Sequence, residues 1–187
     1  MINLPCVIVA GGKSSRMGSD KALLPFGSFN TLTEFQIDRH KNNFLSLHVS
    51  CKTKDKFDFK VDFIEDTDEF NEYSPLIALY SILKKFTTSV CILSVDTPFV
   101  TGHVYKKLIS YKDNFDVIIA RSPYGSHQLC AIYSPKILAT LEQQIKNNNH
   151  KIRDMLKLVK TKYVDFEDDY IFTNLNRPED YTKANKY

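Results

Sequence analysis

The chain reads as an α/β protein with a doubly wound, mostly parallel sheet flanked by helices. Three observations predict this. Short β-branched runs alternate with helix-length amphipathic segments, which is the pattern of βαβ units. Two runs, Val7-Ile8-Val9-Ala10 and Val90-Cys91-Ile92-Leu93, are apolar throughout, as strands covered on both faces are. A length of 187 residues suits a single core, so one domain over residues 1–187 is expected.

The elements follow in order. The first strand, Cys6–Ala10, is apolar and stops at two glycines. Thr31–Asn43 has helix length and mixed polarity. Leu45–Cys51 and Val61–Glu65 are the next two strands, and Leu76–Lys85 the next helix. Val90–Val95 is a buried strand ended by Thr97-Pro98, because proline cannot donate to the ladder. Thr101–Tyr111 is helical, and Phe115–Ala120 and Leu129–Tyr133 are strands. Pro135–Asn147 and Ile152–Val159 are helices divided by the turn Asn147-Asn148-Asn149-His150. Lys162–Phe166 is the last strand and Arg177–Ala184 the last helix. Ligands of such sheets sit beyond the carboxyl ends of the strands, near the switch point of strand order.

Composition excludes classes without naming a function. Hydrophobic residues make up 43% and charged residues 25% of the chain, a globular mixture and not a disordered one. Lys+Arg number 25 against 22 Asp+Glu, a formal +3, too small an excess to argue for nucleic acid or membrane as a partner. No apolar run is long enough for a membrane span, and the N-terminus lacks a basic leader. The four cysteines, Cys6, Cys51, Cys91 and Cys130, form no CxxC pair and lie in or at the end of apolar runs. They are expected to be buried thiols in a reducing cytoplasm. Charge is uneven along the chain: Lys52–Glu72 holds four lysines and eight acids, and Glu142–Lys162 six basic residues and two acids. Both are expected to be solvated surface, although the second could lie beside an anionic substrate.

The chemistry concentrates in Val9-Ala10-Gly11-Gly12-Lys13-Ser14-Ser15-Arg16-Met17-Gly18-Ser19-Asp20-Lys21. Three of the six glycines fall here. Gly11 and Gly12 permit close backbone approach, and successive N–H groups can form an anion-binding nest. Lys13, Arg16 and Lys21 face one acid, Asp20. Such a loop after a buried strand suits a polyphosphate. It is not a Walker A loop, since the glycine required five residues before Gly12-Lys13 is Val7. It is not a G-x-G-x-x-G fingerprint either, since the glycines stand at 11, 12 and 18. A plain surface turn is the bland alternative.

Asp96 ends an apolar strand and could share Mg²⁺ with phosphate oxygens, or serve as a turn or cap residue. Asp66 closes the Val61–Glu65 run within a crowd of acids. Asn174 and Asn176 precede Pro178, as caps of the last helix or as contacts to metal or substrate. His127 reads as an ordinary surface or capping histidine.

With these residues in view, the loop resembles the signature of the MobA-like nucleotidyltransferases. Asp20-Lys21-Ala22-Leu23-Leu24 is similar to the branch that makes the guanine dinucleotide form of the molybdenum cofactor. Ile64-Glu65-Asp66, Ser94-Val95-Asp96-Thr97-Pro98-Phe99 and Phe172–Asp180 resemble later family segments in the right order. The resemblance implies a Rossmann-like nucleotidyltransferase fold and Mg²⁺-dependent transfer of GMP from GTP to molybdopterin, releasing pyrophosphate. It implies nucleotide contacts at Val9, Ala10, Gly11, Gly12, Lys13, Lys21, Ser50, Asp66 and Asp96. It makes Arg16, Lys21 and Asp96 catalytic, Asp96 the metal ligand, and Asn174 and Asn176 candidate substrate or metal contacts. Cofactor-insertion proteins or molybdoenzymes are the implied protein partners.

The chain departs from the family pattern at three places. Ser50 stands where asparagine is usual, Ser74-Pro75-Leu76-Ile77-Ala78 replaces G-P-L-x-G, and His127-Gln128 replaces His-Pro. These departures keep two alternatives open: a sibling using CTP or another NTP with a different small phosphate acceptor, and a non-catalytic nucleotide-binding module.

Overall fold

A computed structural model describes residues 1–11, 20–70, 72 and 74–185. Seven strands form one sheet: β1 (Ile2–Val9), β2 (Phe44–Cys51), β3 (Asp62–Glu65), β4 (Val90–Ser94), β5 (Val117–Ser122), β6 (Gly125–Tyr133) and β7 (Thr161–Asp165). The helices are α1 (Leu32–His40), α2 (Pro75–Leu83), α3 (Gly102–Leu108), α4 (Leu138–Lys146), α5 (Ile152–Met155) and α6 (Pro178–Ala184). The strand order is β3-β2-β1-β4-β6-β5-β7. Only β6 runs against its neighbours. The mostly parallel, doubly wound sheet expected from the alternating runs is therefore present, and each expected strand and helix is found. Boundaries differ by a few residues: β1 begins at Ile2 and passes through Pro5, with a register irregularity between Ile2 and Pro5.

Alternation along the strands builds two cores. Cys6, Ile8, Cys91 and Leu93 point to the face covered by α1, α3 and α6. Val7, Val9, Val90 and Ile92 point to the face covered by α2, α4 and α5. This is why the central strands read as continuous apolar runs: both faces are covered. Burial of each such side chain contributes about 1.5–3 kcal/mol. The phenol of buried Tyr105 on α3 donates to the Ile92 carbonyl at 2.6 Å, so its one polar atom is satisfied. All four cysteines are buried free thiols, as expected. Burial pushes Cys51 up to about 11 and Cys130 up to about 12, which removes them as nucleophiles. Among the described residues no helix is long and apolar enough to cross a membrane.

Two features place the site. Strand order reverses between β1 and β4, so their carboxyl ends open a crevice at the switch point. The β5–β6 hairpin is also irregular. Ile119 pairs with Ala131, but the next residue, Ala120, pairs with His127. Gln128, Leu129 and Cys130 are thus extra on the β6 side, a wide bulge held by the Tyr133 phenol donating to the Gln128 carbonyl at 2.8 Å. Bulges re-aim side chains beside functional sites. This one opens a cavity of 390 Å³ beside Asp96.

Candidate active site

Backbone carries one half of the crevice. Val9 is registered between Ser50 of β2 and Ser94 of β4. The Ala10 N–H donates to the Ser50 carbonyl at 2.8 Å. Gly11 then runs along the end of β2, where a Cβ would stand 3.8 Å from both Cys51 Cα and Lys52 N. Gly12, Lys13 and Arg16 lie outside the described residues. The chain returns at Asp20, whose carboxylate caps a short 3₁₀ turn by accepting from the Ala22 N–H at 3.0 Å.

Lys56 ties the two sides of this segment together. Its ammonium donates to the Ala10 carbonyl at 3.1 Å and to Asp20 at 2.6 Å. The expectation that the whole Lys52–Glu72 run is solvated surface is therefore wrong at Lys56, whose side chain is 22% exposed. A lysine among alternating charges gives no signal that distinguishes it from its neighbours.

Two buried acceptors next to this loop lack partners among the described residues, the Ser50 hydroxyl and one oxygen of Asp66. Unpaired buried polar atoms are costly unless something supplies the missing bond. Burial raises the Asp66 carboxyl to about 6, and nearby Lys52 opposes the shift. Both residues were expected to contact the nucleotide, and both lie at the ends of neighbouring strands, β2 and β3.

Side chains carry the other half. Lys21 donates to Asp96 Oδ2 at 3.1 Å and to Asn176 Oδ1 at 2.8 Å. Asp96 Oδ1 accepts from the Ser94 hydroxyl at 2.7 Å. The Leu175 N–H donates to the Asp96 carbonyl at 2.9 Å, which docks the C-terminal segment onto this turn. Asn174 and Asn176 line the cavity with Asp96 and His127. They are not the side-chain caps of α6. That role falls to Asp180, whose carboxylate accepts from the backbone of Asn176 and Arg177 at 3.3 and 3.0 Å. Ser74 caps α2 by accepting from the Ile77 N–H at 3.2 Å, and its hydroxyl pairs with His150 at 3.1 Å. The Ser74–Ala78 departure is thus absorbed into a helix start.

The Asp96 turn has a support that sequence reading missed. Gln36 of α1 is fully buried, and its amide nitrogen lies 3.4, 3.2 and 3.1 Å from the carbonyls of Ser94, Val95 and Thr97. These carbonyls bracket Asp96. The available signal was a polar residue on the same helix face as Leu32 and His40, which are also buried.

The donor set suits a hard cation with few protein ligands. It offers one carboxylate and amide oxygens, and among the described residues no cluster of three His, Cys, Asp or Glu could hold a metal. Mg²⁺ commonly takes one or two carboxylates and completes its shell with phosphates and water; Asp96 is a carboxylate of that kind, its oxygens accepting from Lys21 and Ser94.

The chain is similar to known proteins along nearly its whole length. The family model described as MobA-like NTP transferase domain matches residues 6–165. The chain is 42% identical over 182 residues to the molybdenum cofactor guanylyltransferase of Campylobacter jejuni (strain RM1221), covering 96% of this chain and 94% of that relative. It is 31% identical over 188 residues to the molybdenum cofactor guanylyltransferase of Helicobacter pylori (strain G27), covering 97% and 92%. The fold matches the crystal structure of molybdopterin-guanine dinucleotide biosynthesis protein A from Archaeoglobus fulgidus with a TM-score of 0.84 at 20% identity, over 98% of this chain and 97% of that one.

Proposed function

Because this chain belongs to the MobA-like NTP transferase family, we propose that it transfers GMP from GTP to molybdopterin and releases pyrophosphate. The observation that carries the reading is the Lys21 ammonium set between Asp96 and Asn176 at the switch point. Residues 75 and 155 positions away from Lys21 converge there. A mere phosphate-binding loop would not require that convergence.

The terminal phosphate of molybdopterin attacks the α-phosphorus of GTP. A P–O bond forms, the bond to the β-phosphate oxygen breaks, and pyrophosphate leaves in line. The nucleophile is already anionic, so no strong general base is needed. Catalysis then rests on position and charge neutralisation. Lys21 holds phosphate oxygens and offsets the charge that develops on them, with Arg16 and Lys13 assisting from the loop. Val9, Ala10, Gly11 and Gly12 supply backbone contacts, and Ser50 and Asp66 accept hydrogen bonds from the nucleoside. Asp96 would hold Mg²⁺, and Asn174 and Asn176 line the same cavity; when bound, the ion would supply Lewis-acid polarisation of phosphoryl oxygens. The buried reduced thiols accord with a cytoplasmic protein, and hand-over to a cofactor-insertion protein or molybdoenzyme fits a reactive product.

The test is pyrophosphate release with each of the four NTPs, with and without molybdopterin, the products weighed by mass spectrometry. Incorporation of GMP that depends on both substrates is expected. Incorporation of CMP would establish the sibling reading, and tight GTP binding without turnover would establish a binding module.

A further inference from the structure

The cavity beside Asp96 contains a group that the mechanism above does not use. His127, read from sequence as a surface or capping histidine, is half-buried and lines this cavity. Its ring lies flat on Phe172, with centroids 4.1 Å apart and planes 10° from parallel. Its Nε2 is 2.9 Å from the Ser122 hydroxyl. That hydroxyl in turn donates to Asp169 Oδ1.

The chain of contacts fixes a tautomer. A serine hydroxyl has one proton, and an ionised carboxylate can only accept. With its proton directed to Asp169, Ser122 has only lone pairs to offer His127. The ring hydrogen must then sit on Nε2, and Nδ1 is a bare acceptor. Nδ1 has no partner among the described residues. Burial lowers the ring's pKa while Asp169 opposes the shift, so the neutral form prevails at neutral pH.

We propose that His127 is a specificity-determining residue whose Nδ1 accepts a hydrogen bond from an N–H or O–H donor of the acceptor substrate. Ser122 and Asp169 are positioning residues that hold its ring and tautomer. The inference rests on the transferase reading above and adds to it that molybdopterin enters this cavity, beside Asp96. A reduced pterin presents several N–H donors and suits such an acceptor. The flat stack on Phe172 holds the plane of the ring, and the Nε2 contact sets which nitrogen meets Ser122.

Asp169→Asn tests this at constant volume. An amide can donate to Ser122, which frees the serine proton to turn toward His127 and moves the ring hydrogen to Nδ1. Nitrogen-15 NMR of the imidazole reads the tautomer directly. The wild type should show the Nε2–H form and Asp169→Asn the Nδ1–H form. Molybdopterin binding should weaken about tenfold or more, the loss of roughly one hydrogen bond. The KM for GTP should stay within twofold. His127→Asn, which keeps an oxygen near the Nδ1 position, should retain more molybdopterin affinity than His127→Phe, which keeps only the stack. An Nδ1–H tautomer in the wild type overturns the inference. So does a tautomer change that leaves molybdopterin affinity intact, or an equal loss of GTP affinity, which marks a general structural effect. A wild-type protein that binds GTP but no molybdopterin overturns the transferase reading itself, and the inference with it.

Discussion

The two halves of the crevice are built by different means. On the β1–β2–β3 side, the backbone of Ala10 and Gly11 meets the strand-end side chains of Ser50 and Asp66, with Lys56 as a clasp. On the β4–β6 side, single side chains from distant segments meet. Lys21, Asp96 and Asn176 form one cluster, and His127, Ser122 and Asp169 another. Part of the first half, Val9–Gly11, can be written as a contiguous motif, and Lys56 joins it from 46 positions away. The second joins segments as far apart as Lys21 and Asn176, so its central contacts need the whole fold.

Substitutions on the two sides should separate accordingly. The largest effect is expected from Asp96→Ala, which removes the carboxylate between Ser94 and Lys21. Pyrophosphate release should fall on the order of 10²-fold or more, and Lys21→Met should act at the lower end of that range. Full Mg²⁺-dependent release by Asp96→Ala would break the assignment of chemistry to the β4 side. Lys56→Met should raise the KM for GTP about tenfold, equivalent to one lost charged hydrogen bond, while kcat changes less. An unchanged KM would mean that the clasp is irrelevant to nucleotide binding.

Asp66→Asn should give the smallest effect, and it is pH-dependent. The folded-state pKa of about 6 lies above the ordinary 3.8. Between these values the unfolded chain releases a proton that the folded chain retains. Stability attached to this group is therefore full below about pH 4 and is lost as pH rises through 6. Asp66→Asn should raise Tm above pH 6, match the wild type near pH 4, and weaken GTP binding. Thermal scans across that range check the sign. A Tm advantage largest at pH 4 would contradict it.

The same contrast explains what was legible. The seven strands could be read because both faces of β1 and β4 are covered, leaving unbroken apolar runs. The roles of Asp96, Asn174 and Asn176 were suggested by order along the chain, and the cavity brings them together. Lys56 was hidden in a charged run, and Gln36 in an otherwise ordinary helix. His127 was misread because its partners, Ser122 and Asp169, reach it only across the β5–β6 hairpin and the segment before Asn174. The hairpin brings Ser122 to His127, and tertiary packing alone brings Asp169, 47 positions from Ser122.

The three-residue bulge in β6 has a consequence for how this architecture can change. In a regular ladder, adding or deleting one residue turns every later side chain to the opposite face. Here Gln128–Cys130 stand outside the β5 register, while Ala131, Ile132 and Tyr133 remain paired with Ile119, Ile118 and Val117. The cavity wall can therefore be lengthened, shortened or recoloured at Gln128 and Leu129, while Cys130 stays paired with Leu93 of β4 and the core beneath keeps its alignment. One scaffold can in this way be refitted to acceptors of different shape without being folded anew.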